Sequence, residues 1–490
     1  MASLDEVRSA RSGKLARLKE LGRESYPITT TANIDAAGAV KRFATLVKSQ
    51  KAVKIAGRVM AMRGQGAITF IDLVDDSGKL QVLAKEDDLG ADAFAHLVET
   101  VDIGDWIEFS GSLFLTKREE KTLLAKSWTM LAKSLRPLPD KWHGLQDVEE
   151  RFRRRYLDSL MDPEVKKRFE TRAKIIKGIR EYLDNEDYLE VETPMLQAQA
   201  GGASAEPFKT HHNALELDLF LRISPELYLK RMLVGGFPRV YELGRNFRNE
   251  GIDATHNPEF TMLEFYEAFA DAAAMRDRVE TLFKKLVKEI FGRSKFSYQG
   301  TMIDLTDSFR VITFYDLLKR HALIADPAIA TREELALKAS QFAIKIEPSD
   351  GREKILDAIY KKVCRPKLIQ PTFVIDYPRD YLPLAKAKLE NPALVDAFQL
   401  IIGGLEVVKA FSELNDPVDQ AERFTAQEAK RKEGDKEAQT FDKDYVEALE
   451  YGMPPAGGVG IGIDRLTMLL TDTTNIREVI FFPLLRPKSD

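Results

Sequence analysis

Cysteine is almost missing from this chain of 490 residues: the single Cys364 excludes an intramolecular disulfide and any zinc cluster built on thiolates. Its neighbours Val363 and Arg365 carry no nucleophile signature, so Cys364 reads as structural. Long apolar runs are missing too. None approaches the roughly 20 residues that cross a bilayer, and the opening MASLDEVRSARSGKLARLKEL lacks the apolar stretch of a signal peptide, which points to a cytoplasmic protein without a membrane partner. The net charge is only −4, which argues against a uniformly basic binder of the histone kind and leaves room for a local nucleic-acid patch. There is no G-x-x-x-x-G-K-[ST] phosphate loop and no G-x-G-x-x-G turn leading a strand-helix-strand unit. A Ser, His and Asp set of triad type, low-complexity tracts and repeats of fixed period are absent as well. A nucleotide, if bound, would have to be held on an antiparallel sheet by arginines.

What remains is a composition of 44% hydrophobic and 31% charged residues, enough for two or three globular domains. Up to Lys51 there are ten Lys or Arg against five Asp or Glu, and Leu4, Val7, Leu15, Leu18 and Leu21 follow a partly helical spacing. Residues 1–50 therefore read as a basic helical segment, either a solvated face or a contact for RNA phosphates. Residues 51–135 alternate short strands with turns, among them the turn Asp75-Asp76-Ser77-Gly78, and predict a small antiparallel barrel. On it Phe70 can stack a base, Gln81 can read a base edge and Arg63 can meet phosphate, although an aromatic in a barrel is more often core. Residues 136–158 read as a linker, with two prolines, a glycine and the cluster Arg151, Arg153, Arg154 and Arg155 leading into a helix. A long helix over 166–185 stops before YLEVETPML, a strand that Pro194 interrupts and thereby marks as an edge or a subunit contact.

Residues 239–269, RVYELGRNFRNEGIDATHNPEFTMLEFYEAF, predict a β-hairpin whose arms carry strand-forming residues and whose loop, 249–258, holds Asn, Gly, Asp and Pro. Side chains alternate along a strand, so the second arm sets Phe260, Met262, Glu264 and Tyr266 on one face, with Arg248 and Glu250 beside the loop. Phe260 and Tyr266 would stand roughly 20 Å apart at about 3.3 Å per residue, the span of a nucleotide with a small molecule at its end. The bland alternative, a solvated ribbon, fits Glu264 poorly: among Met262, Leu263, Phe265 and Tyr266 a carboxylate is costly without a cation.

Beyond the hairpin, 272–291 reads as a helix and about 304–367 as a mostly helical insertion without a chemical motif. Strands return at PTFVIDYP, FQLIIGGLEVVKAFSELND and GGVGIGIDRLTMLLTD. Gly457, Gly458, Gly460 and Gly462 permit close backbone approach, and with Arg465 and Arg248 they indicate a phosphate site. Glu406 and Glu413 offer a possible Mg2+ ligand and a possible ammonium acceptor.

RNFRNEG with HNPEFTMLEFY, GVGIGIDR and YLEVETPML resemble motifs 2, 3 and 1 of the class II aminoacyl-tRNA synthetases, in the right order. LRPLPDKWHGLQD, GGASAEPF and FSELNDP are similar to segments of the lysyl-tRNA synthetase family, and the resemblance covers nearly the whole chain. It implies an α+β chain: an N-terminal OB-fold β-barrel that binds the anticodon, then a catalytic domain over 159–490 built on a mainly antiparallel sheet flanked by helices. It implies ATP, L-lysine and tRNA(Lys) as substrates, one to three Mg2+ ions bound with ATP, a homodimer, and no DNA partner. Arg248 and Arg465 would be catalytic. ATP would meet Arg248, Glu250, His256, Asn257, Phe260, Glu406, Gly462 and Arg465. Lysine would meet Gly202, Glu226, Arg248, Glu264, Tyr266, Phe411 and Glu413. The anticodon would meet Arg63, Phe70, Gln81 and Glu120, and metal would meet Glu406 and, less well, Gln399.

Three positions depart from that pattern. Gln399 stands where many class II enzymes have an acidic metal ligand, Lys409 replaces a usual asparagine, and Leu382 replaces a common serine. A neutral amide is a poorer Mg2+ ligand than a carboxylate, and an inward Lys409 would repel a lysine substrate unless it bridges to Glu406 or reaches phosphate. Two other readings share the fold: an enzyme that transfers lysine to a protein, which would not need the barrel, and a non-catalytic RNA-binding relative, which would not need Arg248, Glu250, Glu264, Glu413 and Arg465 together.

Overall fold

Strand pairing divides the chain into two units, residues 1–146 and 147–490, in a computed structural model that describes residues 3–139, 145–348, 350–434 and 438–488. In the first unit β1 (Val53–Gln65), β2 (Ile68–Val74), β3 (Lys79–Lys85), β4 (Trp106–Leu115) and β5 (Lys121–Ala132) close into a barrel in the order β1-β2-β3-β5-β4. Alternation decides its inside: Ile71, Leu73, Leu80, Val82 and Ala84 are buried in its core. The turn between β2 and β3 is held by the Asp75 carboxylate, which accepts from the backbone N–H of Ser77 at 2.8 Å and of Gly78 at 3.0 Å.

The basic segment 1–50 does not stand apart from this barrel. Its helices Leu4–Glu20, Ala36–Lys41 and Phe43–Ser49 place Leu18, Ala39, Phe43 and Leu46 in the same core as Val53, Ile55 and Leu123. Three cations of the first helix are engaged by the unit itself. Arg11 donates to the carbonyls of Ile103 and Arg136, both at 3.0 Å, Lys14 pairs with Asp102 at 2.7 Å and Arg17 with Glu99 at 3.0 Å.

The break between units falls at 146/147, inside the stretch expected as a linker; of the LRPLPDKWHGLQD segment, residues 140–144 lie outside the described residues. The arginine cluster that follows sits on two short helices of the second unit, Val148–Arg153 and Arg155–Met161, where Arg151 and Arg155 both pair with Asp158, at 2.9 and 2.7 Å.

The second unit is built on eight strands: β6 (Leu189–Glu190), β7 (Arg239–Phe247), β8 (Glu259–Ala268), β9 (Arg310–Thr313), β10 (Thr372–Pro378), β11 (Leu394–Ile402), β12 (Leu405–Ser412) and β13 (Ala456–Gly462). They lie in the order β9-β10-β11-β12-β13-β8-β7-β6, antiparallel except for the two edge pairs. One face is closed by the helices Pro163–Asn185, Ala272–Phe291 and Ile463–Leu470, which bury Leu263, Phe265, Leu400, Val408, Val459 and Ile461. The other face carries the polar side chains.

Two sequence expectations change here. YLEVETPML is not one strand: only Leu189–Glu190 pairs with the sheet, because the chain turns away before Pro194 and pairs again as Leu196–Gln197 in a separate small sheet. The insertion at about 304–367 carries helices but also supplies β9, an edge strand of the main sheet. Its Phe314, Leu317, Ile355 and Tyr360 share a core with Leu227, Val240 and Phe411.

Candidate active site

The expected hairpin forms, with Arg239 opposite Glu267 and Phe247 opposite Glu259. Its loop is tied by Arg248 N–H donating to the Pro258 carbonyl at 2.8 Å and by the Asp253 carboxylate, which accepts from the N–H groups of Thr255 and His256 at 2.6 and 2.8 Å. Phe260, Met262, Glu264 and Tyr266 all face a cavity of about 260 Å³, as the period of two predicts.

The glycine strand explains the shape of that cavity. On β13, Gly462 pairs with Met262, Gly460 with Glu264 and Gly458 with Tyr266, and on its other side Gly460 pairs with Lys409 and Gly458 with Phe411. With no side chains at these positions β13 is the floor of a groove, walled by β8 and β12. A Cβ at Gly458 would lie 2.0 Å from Glu413 Oε1 and 2.4 Å from Tyr266 Cε1. The glycines at 458 and 460 thus make room for side chains of the flanking strands rather than for phosphate. Gly462 alone keeps the open approach expected of the run, with its nearest neighbours Arg465 atoms at 3.9 Å.

A second device brings Glu406 to the groove. Glu406 and Glu413 are seven apart, an odd number that a regular strand would send to opposite faces. In the pairing of β11 with β12, Leu400 faces Val408 but Ile401 faces Glu406, so Val407 is the extra residue of a bulge. The bulge shifts the parity, and Glu406, Lys409, Phe411 and Glu413 all line the cavity.

At one end of the groove acids gather. Glu264 is buried, its Oε1 accepting from Ser224 Oγ at 2.7 Å and its Oε2 from the Tyr266 hydroxyl at 2.8 Å. Burial, with Glu226 nearby, pushes its carboxyl up to about 7. Glu413, at the end of β12, is buried as well, and burial raises it well above the carboxylate range. Glu226 opens the helix Glu226–Val234, and Gly202, at φ +86°, lies against it: a Cβ there would meet Glu226 Cβ at 3.0 Å.

Sequence reasoning missed the cation that these acids surround. Lys230, one turn after Glu226, is fully buried; its ammonium donates to Glu226 Oε1 at 2.6 Å and pairs with Glu413. Burial alone would lower it, but Glu226 and Glu413 outweigh that and raise it above the usual lysine value. The signal available was the i, i+4 Glu-Lys spacing in ELYLKRM, which ordinarily marks a solvated helix face.

At the other end cations gather. Arg248 lies with its guanidinium carbon 5.0 Å from the centre of the Phe260 ring, and its Nε is buried without a partner. Arg465 leads the helix Ile463–Leu470, which is fixed to β8 by Asp464, whose Oδ2 accepts from Thr261 N–H at 2.7 Å. Its guanidinium donates to His256 Nε2 at 2.8 Å, and His256 Nδ1 faces Asp253 at 2.9 Å. Glu250, Asn257 and Gly462 line the same end; the Asn257 amide donates to the Glu259 carbonyl at 2.6 Å while its oxygen is buried without a partner. Every residue expected at ATP and at lysine therefore meets in one cavity.

Gln399, the doubtful metal ligand, does not line it; its Oε1 accepts from the Tyr377 hydroxyl at 2.9 Å. Leu382, where a serine is common, is a buried member of the core shared with the insertion. Among the described residues no group of three or more His, Cys, Asp or Glu converges as a metal cage. The donor set thus fits a Mg2+ that arrives with a nucleotide and takes Glu406 as a protein oxygen, and it does not fit an ion caged by the protein.

In the first unit Arg63 is opposite Phe70 on the outer side of the barrel, and Gln81 is opposite Asp72. Phe70 is half-buried and outside the barrel core. Arg63 pairs with Asp72 at 3.2 Å, Gln81 Oε1 accepts from Thr122 Oγ1 at 2.9 Å, and Glu120 lies exposed in the turn before β5.

Residues 147–486 match the family described as tRNA synthetases class II (D, K and N). The chain belongs to that family. Residues 53–131 of this class II synthetase match the OB-fold nucleic acid binding domain. It is 50% identical over 487 residues to a lysine–tRNA ligase of Pelotomaculum thermopropionicum, covering 99% of this chain and 96% of that protein. It is 49% identical over 485 residues to one of Carboxydothermus hydrogenoformans and 47% identical over 488 to one of Moorella thermoacetica, with 99% of both chains covered each time.

Proposed function

We infer that this chain is a lysine–tRNA ligase, which activates L-lysine with ATP to lysyl-adenylate and pyrophosphate and then transfers lysine to the 3′ end of tRNA(Lys). The observation that carries the substrate is a count of charges. Glu226, Glu264 and Glu413 are three buried carboxylates around one internal ammonium, Lys230. When all three are ionised two negative charges are left over, and the two ammonium groups of lysine match them, favouring the ionised forms of Glu264 and Glu413 that burial disfavours in the empty site. Its side-chain ammonium belongs with Glu264, Tyr266 and Glu413 beside Phe411, and its α-amino group with Glu226 and the main chain at Gly202. Its carboxylate meets Arg248, whose buried Nε lacks a partner.

No protein nucleophile is needed. The lysine carboxylate is already ionised, and one of its oxygens bonds to the α-phosphorus as the bond to pyrophosphate breaks. Arg248 aligns carboxylate and phosphate and stabilises the charge that builds between them, Phe260 with Glu250, His256 and Asn257 receives the adenosine, and Arg465 beside Gly462 holds the outer phosphates. Mg2+ bound with ATP, next to Glu406, would neutralise triphosphate charge. In the second step the terminal ribose hydroxyl attacks the acyl carbon and AMP leaves. Arg63, Phe70, Gln81 and Glu120 give the barrel a face for the anticodon, with Phe70 as a stacking platform.

A homodimer fits the exposed Leu189, Met195 and Leu196 beside the unpaired side of β6. No helix of the described residues is long and apolar enough to cross a membrane, and we place the enzyme in the cytoplasm. The test is exchange of labelled pyrophosphate into ATP with each of the twenty amino acids. Exchange with lysine alone is expected; none with any amino acid removes the synthetase reading, and exchange with another amino acid overturns the pocket assignment.

A further inference from the structure

The feature that the reaction as written leaves unused is Lys409. It lies on β12 between Glu406 and Phe411, opposite Gly460, across which stands Glu264. This is the middle of the groove. The charges that act on its ammonium are Glu406 on the nucleotide side, Glu226 on the lysine side, Arg248, and Asp357 of the helix Arg352–Ile359. Lys409 lines the cavity, and among the described residues its ammonium has neither a hydrogen bond nor an ion pair within reach. An unpaired ammonium in a half-buried cavity is unfavourable until an anion arrives.

The strand beside it sharpens the point. Gln399 faces Lys409 directly across the β11–β12 ladder. It is neutral, and its oxygen is occupied by the hydroxyls of Tyr377 at 2.9 Å and Tyr360 at 3.4 Å, so it offers a divalent ion almost nothing. Glu406 is the one carboxylate that β11 and β12 present at the nucleotide end, and it is already crowded by cations. Arg365 stands 3.9 Å from its carboxylate, and Arg465 donates to its main-chain carbonyl at 3.3 Å. A second divalent ion placed there would meet one acid and several like charges. For such an ion the two neighbouring strands offer one carboxylate, Glu406, and one amide, Gln399, with the Lys409 ammonium directly across the ladder from the amide.

We propose that Lys409 supplies, as a tethered ammonium, the positive charge at the α-phosphate that a second divalent ion would otherwise supply. Lysine activation then uses only the one Mg2+ that arrives with the nucleotide. This rests on the synthetase reading above. In that step the lysine carboxylate oxygen bonds to phosphorus, the bond from phosphorus to pyrophosphate breaks with its electron pair leaving on pyrophosphate, and no proton moves. Negative charge builds on the non-bridging oxygens, which is where an ammonium between Arg248 and Glu406 acts. The same charge repels both ammonium groups of the substrate, and so directs lysine to enter with its carboxylate toward Arg248.

The experiment counts metal ions and measures rates on the full-length enzyme. Mn2+ bound in the presence of ATP and lysinol, which lacks the reacting carboxylate, is counted by electron paramagnetic resonance. One ion per active site is expected for the wild type, and one more for the double variant Gln399→Glu, Lys409→Asn. In pyrophosphate exchange Lys409→Met should lose about 100-fold in kcat with KM for lysine and ATP changed less than about threefold, and Lys409→Arg should regain at least about a tenth of the wild-type rate. Two or more Mn2+ ions in the wild type, or exchange by Lys409→Met within about threefold of wild type, overturns the proposal. If Lys409→Met does not fold, the wild-type count and the arginine variant still decide. Absence of lysine-dependent exchange in the wild type would instead overturn the synthetase reading.

Discussion

At one end of the groove three carboxylates, Glu226, Glu264 and Glu413, enclose the ammonium of Lys230; at the other Arg248, Arg465 and Lys409 outnumber the nearby Glu250 and Glu406. Both ends stand on the same strands, a few residues apart. At the acid end Glu264 and Glu226 accept hydrogen bonds internally, from Ser224, Tyr266 and Lys230, while Glu413 Oε1 is buried without one among the described residues. The cationic end is left incomplete, with Arg248 Nε unpartnered among the described residues. A preformed cage suits a small dication that must be told from other amino acids, whereas open cations suit a polyanion that brings its own metal.

The largest way to break this contrast is to remove the internal cation. Lys230→Met leaves three buried acids without a counter-charge and should cost about 3 kcal/mol of stability, read as a lower thermal unfolding midpoint that added lysine partly restores. An unchanged midpoint would mean that the acids tolerate one another without Lys230.

A milder perturbation is pH. Glu264 titrates at about 7 in the free enzyme, and the substrate ammonium needs its ionised form. Lysine binding should therefore weaken as pH falls through that value, by up to about tenfold per unit, because binding then has to expel a proton from Glu264. The KM for ATP should not follow. A lysine KM that is flat between about pH 8 and pH 6 would show that Glu264 is not the group that meets the ammonium.

The smallest effect lies outside the groove. Phe70→Ala should raise the KM for tRNA by about tenfold, the worth of one stacked base, and leave pyrophosphate exchange alone. Equal loss of both activities would make Phe70 a folding residue of the barrel.

Much of the site was legible because the period of two is a strong rule: it put Phe260, Met262, Glu264 and Tyr266 on one face before any coordinates, and the structure keeps them there. What escaped depended on events far away in the chain. Glu406 joins Glu413 only because a bulge at Val407 shifts the parity of β12, and no residue type announces that bulge. Lys230 looks like any exposed helix lysine until β12 brings Glu413 to it from almost 200 residues further on. The glycine run was read as a phosphate approach, whereas at Gly458 and Gly460 the structure uses the missing side chains to seat Glu413, Tyr266 and Met262. The charge and spacing of the helix Leu4–Glu20 leave a solvated face and an RNA contact as alternatives, whereas its Arg11, Lys14 and Arg17 are engaged within the barrel unit, through partners far away in the sequence.

The central claim, that the acid end reads lysine while the cationic end reads ATP, is tested most directly by titrating lysine and a non-hydrolysable ATP analogue separately into Glu264→Gln and measuring heat. A loss of lysine affinity of about 100-fold or more is expected, since the amide leaves the substrate ammonium without its buried counter-charge, with affinity for the analogue changed less than about threefold. Lysine affinity equal to that of the unaltered protein would contradict it.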